Sequence, residues 1–264
     1  TSSVTTAKLD SDAVTNAKLA DDSVAIEQLD STVTFDAIST EGSEFKTHNK
    51  TLFYSDFSLS GAISGTNIQN LATGTAAVSK TLPLDTYTTS TDGGNTVISV
   101  GSNRQGLRTS LTGDEFDITN NGMTMGVLFK KNQTDSTTDG GLIYYGDTNT
   151  DNHFFVRLQF GVNSSIHVGE DTGGSDVWTD TTHRIRQYQW GFFAVSIDTN
   201  GTLLSYLNGV LIGNRGGGTV TTPTGATFGI AGDPYNDNAS NNTYASFFFY
   251  QGVATKKQLD KEYR

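Results

Sequence analysis

Two short segments carry the residue types that recognise sugars. Tyr235 sits in Asp233-Pro-Tyr-Asn236-Asp237-Asn238, and Trp178 in Gly173-Gly-Ser-Asp176-Val-Trp178-Thr-Asp180. An aromatic face stacks on pyranose C–H groups, while Asp and Asn side chains hydrogen-bond the hydroxyls. Trp178, Tyr235, Asn236 and Asn238 are therefore the glycan-binding candidates, weighed evenly against roles as loop anchors or subunit contacts. Asp147-Thr-Asn149-Thr-Asp151 alternates the oxygen ligands that Ca²⁺ prefers, but Asn152 and Leu158 stand where a calcium-binding loop needs Gly and Glu. Asp233 and Asp237 offer a second carboxylate pair. A structural turn is the favoured reading of both loops, and Ca²⁺ is the one cofactor they suggest.

Catalytic patterns are sparse. His48, His153, His167 and His183 are scattered, and no Gly-x-Ser-x-Gly or His-x-x-x-His pattern accompanies them. Gly140-Gly141 and Gly216-Gly-Gly218 precede no Lys-Ser/Thr, so neither reads as a phosphate loop. The absence of cysteine removes disulfides and thiolate metal sites. A formal net charge of −11 argues against nucleic acid, whose phosphates require Lys and Arg. No run approaches ~18 apolar residues, so membrane insertion through a helix is not expected.

These residues must be positioned by strands. From about residue 50 onward, short alternating runs are separated by Gly, Asn, Asp and Ser clusters. The pattern predicts strands at Thr51–Leu59, Ala76–Leu84, Asn95–Val100, Gly122–Phe129, Leu142–Tyr145, His153–Phe160, Ser165–Val168, Arg184–Gln187, Phe192–Ile197, Thr202–Leu207, Val210–Ile212, Ala226–Ile230 and Tyr244–Tyr250. Such spacing argues for an antiparallel sandwich or barrel. Asn208-Gly209 fits a two-residue hairpin turn with positive φ at both centres. The unbroken Phe247-Phe248-Phe249 run reads as a strand covered on both faces. Only the end reads as helical, with Thr255 capping Lys256–Tyr263.

Residues 1–34 differ. Val4-Thr-Thr-Ala-Lys-Leu9 returns as Val14-Thr-Asn-Ala-Lys-Leu19, and again, degraded, as Val24-Ala-Ile-Glu-Gln-Leu29. Apolar residues thus fall every fifth position, which keeps them on one face of neither a continuous helix nor a straight strand. A bent unit per repeat is expected, and one copy cannot bury its own Val and Leu side chains. Symmetric copies from other chains would supply the missing surface. Residues 35–50 show no clear period and read as a neck.

The decapeptide repeat resembles those of bacteriophage tail-fibre and virion structural proteins, where it lies in trimeric fibrous regions. Separately, Trp190-Gly-Phe-Phe-Ala-Val-Ser-Ile-Asp198 followed by Leu203-Leu-Ser-Tyr206-Leu-Asn208-Gly209 resembles the core of laminin-G-like domains, part of the concanavalin A-like lectin/glucanase superfamily. Gly229-Ile-Ala-Gly232-Asp233 and the closing segment from Tyr244 are similar to that family's last strands. The resemblance implies a jelly-roll sandwich with Trp190 as a packing residue, and it raises the case for Ca²⁺ at a loop edge. The superfamily's glucanases use Glu-x-Asp-x-(x)-Glu. Here Glu115-Phe-Asp117-Ile-Thr119 supplies the first half only, and it reads as a polar strand edge.

The expectation is a non-enzymatic, all-β protein. Residues 1–34 form a stalk or anchor built on Val4, Leu9, Val14, Leu19, Val24 and Leu29, residues 35–50 a neck, and 51–264 the sandwich. The implied context is a phage virion, at the tail or capsid surface. The chain would trimerise, join other virion proteins through its N-terminal segment and contact host-surface glycan. A purely structural decoration or adaptor protein is the alternative, and a polysaccharide depolymerase the weakest reading.

Overall fold

The chain divides into two units, Thr1–Thr34 and Phe35–Arg264. The computed structural model describes residues 43–84, 87–99, 107–110, 115, 117–132, 140–146, 152–158, 165–172, 176–185, 188–216, 222, 227–231 and 242–263. Val4, Leu9, Val14, Leu19, Val24 and Leu29 lie outside the described residues.

In chain order the elements are α1 (Glu44–Thr47), β1 (Thr51–Asp56), β2 (Ile63–Ser64), β3 (Asn67–Gln69), β4 (Thr81–Pro83), β5 (Thr88–Asp92), β6 (Asn95–Ser99) and β7 (Leu107–Ser110). They continue with α2 (Ile118–Asn121), β8 (Met123–Lys131), β9 (Gly140–Gly146), β10 (Asn152–Leu158), β11 (Ser165–Thr172) and β12 (Asp176–Arg184). The last are β13 (Trp190–Ile197), β14 (Leu203–Leu207), β15 (Val210–Arg215), β16 (Thr227–Ile230), β17 (Asn242–Gln251) and α3 (Lys256–Tyr263). An eight-stranded sheet runs β15-β14-β13-β8-β17-β6-β5, with β1 also paired to β17. A six-stranded sheet runs β12-β11-β10-β9-β16-β7, and β2-β3-β4 form a small third sheet. The fold is an antiparallel sandwich, one of the two forms that the strand pattern predicts, and of the jelly-roll kind that the resemblance implies. No helix among the described residues is long and apolar enough to cross a membrane.

The core has two layers because β17 buries both its faces. Phe247 and Phe249 point between the sheets, where Phe249 meets Phe228 of the opposite sheet at 4.5 Å. Phe248 points outward and stacks on Phe45 of α1 at 3.9 Å. Leu259 of α3 and Ala254 complete this outer cluster with Tyr54, Leu128 and Phe192. The Phe248 ring lies across Gly126, its register partner on β8. A Cβ at Gly126 would fall 2.4 Å from that ring, which Phe45 holds from the other side. Tyr244 Oη, donating to Gly141 O at 3.4 Å, ties the sheets together.

Buried polar groups fix the ends. Thr124 Oγ1 donates to Gly252 O at 2.7 Å and accepts from Ala254 N at 2.8 Å, turning the chain from β17 towards α3. Thr255 and Gln258 then form a reciprocal capping box, with Thr255 N donating to Gln258 Oε1 and Gln258 N to Thr255 Oγ1. The excursion after β1 hangs on Asn70. Its Nδ2 donates to Leu52 O and Val78 O, and its Oδ1 accepts from Tyr54 N and Ala72 N. Asn208 and Gly209 take φ of 51° and 77°, the predicted hairpin turn.

Several boundaries move. The predicted Thr51–Leu59 strand ends at Asp56, whose carboxylate accepts from Ser58 N and Oγ and turns the chain. Of Ala76–Leu84 only Thr81–Pro83 is strand. Of the predicted Arg184–Gln187 strand, Arg184 is the last residue of β12 and Ile185 follows it outside any strand, while residues 186 and 187 lie outside the described residues. β5 escapes the sequence pattern because Thr88-Thr-Ser-Thr-Asp92 has no apolar alternation to display. Two one-turn helices, α1 and α2, join the expected terminal one. Over 43–50 the neck meets the sandwich, since Phe45 is fully buried.

Behind Phe45 lies a buried carboxyl. Ser43 Oγ donates to Glu262 Oε1, while Lys261 Nζ pairs with Glu44 at 2.6 Å. Burial raises the Glu262 carboxyl to about 7, opposed by the Ser43 hydroxyl and the Phe45 N–H and helped by the charges of Asp56 and Glu44. Its folded value thus lies above its unfolded one. Its contribution is fully present below the unfolded value and is lost as pH rises through about 7.

Two measurements check this packing. Gly126→Ala is expected to lower unfolding free energy by about 1–3 kcal/mol in chemical denaturation, since neither ring can retreat. In melts from pH 5 to pH 8, the wild-type chain should lose more stability than Glu262→Gln, which cannot ionise there. Parallel curves would remove Glu262 as the titrating group.

Candidate functional site

The structure redistributes the sequence candidates. Trp178 is not in a loop but in β12, the edge strand of the six-stranded sheet, paired in register with Gly169. Gly169 faces Phe155, Phe155 faces Tyr144, Tyr144 faces Gly229, and Gly229 faces Arg108. These positions form one register row across the sheet, in which Tyr144 is fully buried. The neighbouring Tyr145, Phe228 and Leu107 join the inter-sheet core. Tyr235, Asn236 and Asn238 lie outside the described residues, as do Asp147, Asp151, Asp233 and Asp237. Among the described residues, no three His, Asp or Glu side chains gather to hold a metal ion.

The glucanase-like half motif has structural duties. Asp117 is not on a strand edge; it caps α2, accepting from Asn120 N at 3.1 Å, Asn120 Nδ2 at 2.7 Å and Thr222 Oγ1 at 3.2 Å. The Asn120 side-chain bond leads the causes that hold its carboxyl below the usual range. Glu115 pairs with Lys80 at 3.7 Å. His48 Nδ1 accepts from Lys50 N at 3.2 Å, and its ring meets Tyr250 edge-on. His153 and His167 lie on β10 and β11, and His183 on β12.

A constellation that the sequence reading missed lies on the outer face of the large sheet. Trp190, Lys130, Thr243, Ser99 and Thr88 stand in register across β13, β8, β17, β6 and β5. Trp190 is half-buried here, at the margin of the outer cluster rather than between the sheets where a core position would put it. Lys130 Nζ lies 5.4 Å from the centre of its indole and pairs with Asp92 at the end of β5. Both charged side chains keep solvent contact, at 21% and 31% exposure. Asn132 Nδ2 donates to Thr243 Oγ1 at 2.7 Å, Thr243 Oγ1 lies 3.3 Å from Ser99 Oγ, and Ser99 Oγ lies 3.4 Å from Ser90 Oγ. The strip thus presents a cation, a carboxylate, an amide and a line of hydroxyls.

Tyr188 stands where this strip meets the sheet's end. Its N–H donates to Lys131 O at 2.6 Å, and Lys131 N–H donates to Gln189 O at 3.2 Å. Its φ is +63°, a conformation that costs a residue with a Cβ about 1–2 kcal/mol. The residue is nevertheless 68% exposed, more than Val210, Leu211 or Val253. A strained residue that is mostly exposed is a feature that binding surfaces explain. In sequence, Tyr188 is hidden because no Gly or Asn marks the turn.

No family model matches this sequence, and no curated protein matches it. Solved structures do. The binding domain of Paraclostridial Mosquitocidal Protein 1 aligns with a TM-score of 0.61 at 12% identity, covering 83% of this chain and 52% of that one. Trypanosoma rangeli sialidase in complex with sialic acid aligns at 0.59 and 8% identity, covering 81% of this chain. This chain spans 32% of that enzyme, about a third of its length. Domain 4 of AbnA, an extracellular arabinanase from Geobacillus stearothermophilus, in complex with arabinotriose, aligns at 0.51 and 16% identity, over 81% of this chain and 98% of that domain. At these identities the likeness establishes the fold, a sandwich of the kind found in lectin and glycosidase domains.

The assignment of Asp117 as a cap is testable. Asp117→Ala should lower the melting temperature, and Asp117→Asn, which still accepts hydrogen bonds, should restore most of the loss. Equal losses would favour a role for the charge instead.

Proposed function

We propose that this chain is a fibre or spike component of a bacteriophage virion whose sandwich domain binds host-surface glycan. The observation that carries the glycan half is the alignment with the AbnA domain, which covers nearly all of that domain and was solved with arabinotriose bound. Trp178 keeps its place as a candidate, now on the edge strand β12 of the six-stranded sheet. Tyr235, Asn236 and Asn238 remain candidates, with Asp147, Asp151, Asp233 and Asp237 as candidate Ca²⁺ ligands. The virion half rests on the N-terminal decapeptide repeats. Trimeric display through Val4, Leu9, Val14, Leu19, Val24 and Leu29 would turn weak single-site binding into avid attachment. The domain acts by binding and holds no catalytic role.

The structural alternative has one observation in its favour. β15 is an edge strand with Val210 58% and Leu211 46% exposed, an apolar rim suited to packing against another virion protein. Leu211→Lys separates the readings. On the attachment reading it leaves glycan-array binding intact; on the packing reading it blocks incorporation into particles, with arrays blank for both proteins. Light scattering on the full chain should give a trimer mass. A monomer, or blank arrays together with absent host-cell binding, would sink the attachment proposal.

A further inference from the structure

We infer that Tyr188, the Asp92–Lys130 pair and Asn132 form a binding subsite for one uncharged pyranose, built from other residues than the Trp178 and Asp233–Asn238 candidates. The inference rests on the glycan-binding reading and adds a place and a ligand class to it. Three observations converge. Tyr188 is an exposed ring whose backbone is fixed in the left-handed region and bonded to Lys131 O. The fixed backbone sets the point from which the ring projects into solvent, where a sugar can stack on it. Lys130 and Asp92, contacting each other and partly open to water, place an N–H donor beside a carboxylate acceptor. That pairing matches a vicinal diol, one hydroxyl donating to Asp92 and its neighbour accepting from Lys130. Asn132, next in sequence to Lys131, adds an amide whose Nδ2 is already oriented by Thr243.

Charge selects the ligand class. The Asp92–Lys130 pair is neutral as a unit, so it offers no net attraction to a carboxylate-bearing sugar. The chain as a whole carries −11, which disfavours an anionic glycan further. Trp190 serves as a wall rather than a platform, because Lys130 lies over its ring and the outer cluster packs against it. A sugar therefore stacks on Tyr188 and reaches the polar strip with its edge.

Saturation-transfer NMR on the full chain tests this. The probes are the methyl glycosides of glucose, galactose, mannose and N-acetylglucosamine, with sialyllactose as the anionic comparison. At least one neutral glycoside should show transfer, and sialyllactose none. Tyr188→Ala should weaken the neutral ligand by about tenfold, and Tyr188→Phe by less than about threefold, since stacking needs the ring and not the hydroxyl. Asp92→Asn should weaken it as well. Tyr188→Gly is the folding control, because glycine accepts the left-handed conformation; its melting temperature should not fall while binding is lost. Neutral binding unchanged in Tyr188→Ala would overturn this subsite and leave glycan binding elsewhere on the domain standing. Transfer to sialyllactose alone would overturn the ligand class. Silence from every probe, with blank glycan arrays, would end both the subsite and the broader reading.

Discussion

The stack of Phe45 on Phe248 over Gly126 is the contact on which the domain's organisation depends. A strand that buries one face needs one partner layer, but β17 buries both. Phe247 and Phe249 commit it to the inter-sheet core, and Phe248 demands a second cover on the far side. Gly126 leaves the space in which Phe248 can lie flat, and Phe45 then closes it. Through that ring the first described helix and the last one are brought onto the same patch, so α1 and α3 meet although they lie at opposite ends of the domain's sequence.

The cover is partial, and its margin defines the polar strip. The outer cluster takes Tyr54, Phe192, Ala194 and Tyr206 under α1, α3 and the Asn70 excursion. Beyond it, towards β5 and β6, the same sheet face carries Ser90, Ser99, Thr243, Lys130 and Asp92 in place of apolar residues. Trp190 lies on the boundary, part packing and part surface. A sheet face that changes from buried to polar along its width offers a wall, a donor–acceptor set and solvent access side by side. In the six-stranded sheet Trp178, Phe155 and Tyr144 stand in one register row, in which Tyr144 is fully buried.

Much of the sandwich is legible from local pattern. β8, β13, β14 and β17 alternate or run apolar because their neighbours are close in the sheet and their burial is strong. Asn208-Gly209 announces its turn because few residues tolerate two successive positive φ angles. Thr255 and Gln258 announce the last helix because a capping box is local. β5 and β12 are less visible. Thr88–Asp92 is held by pairing with β6 across a Gly93-Gly94 turn rather than by burial. Asp176–Arg184 opens beside Gly173 and Gly174, whose turn character conceals the strand that follows.

The candidate sites divide in the same way. Trp178 and the Asp233–Asn238 segment are recognisable from residue type, since aromatic and amide side chains gathered in a short stretch already describe a sugar-binding chemistry. The Lys130–Asp92–Trp190 strip is not, because its members lie on separate strands and meet only through register. Nor is Tyr188, whose meaning lies in a backbone angle that its residue type does not advertise. Asp117 shows the converse. In the chain it looks like half of a catalytic motif, and in the fold its oxygens are occupied by Asn120 and Thr222. Periodicity, turn residues and caps act within a few positions, so the chain alone settles the sandwich and its closing helix. Which side chains share a surface depends on pairings between residues far apart in sequence, and those exist only once the sheets have formed.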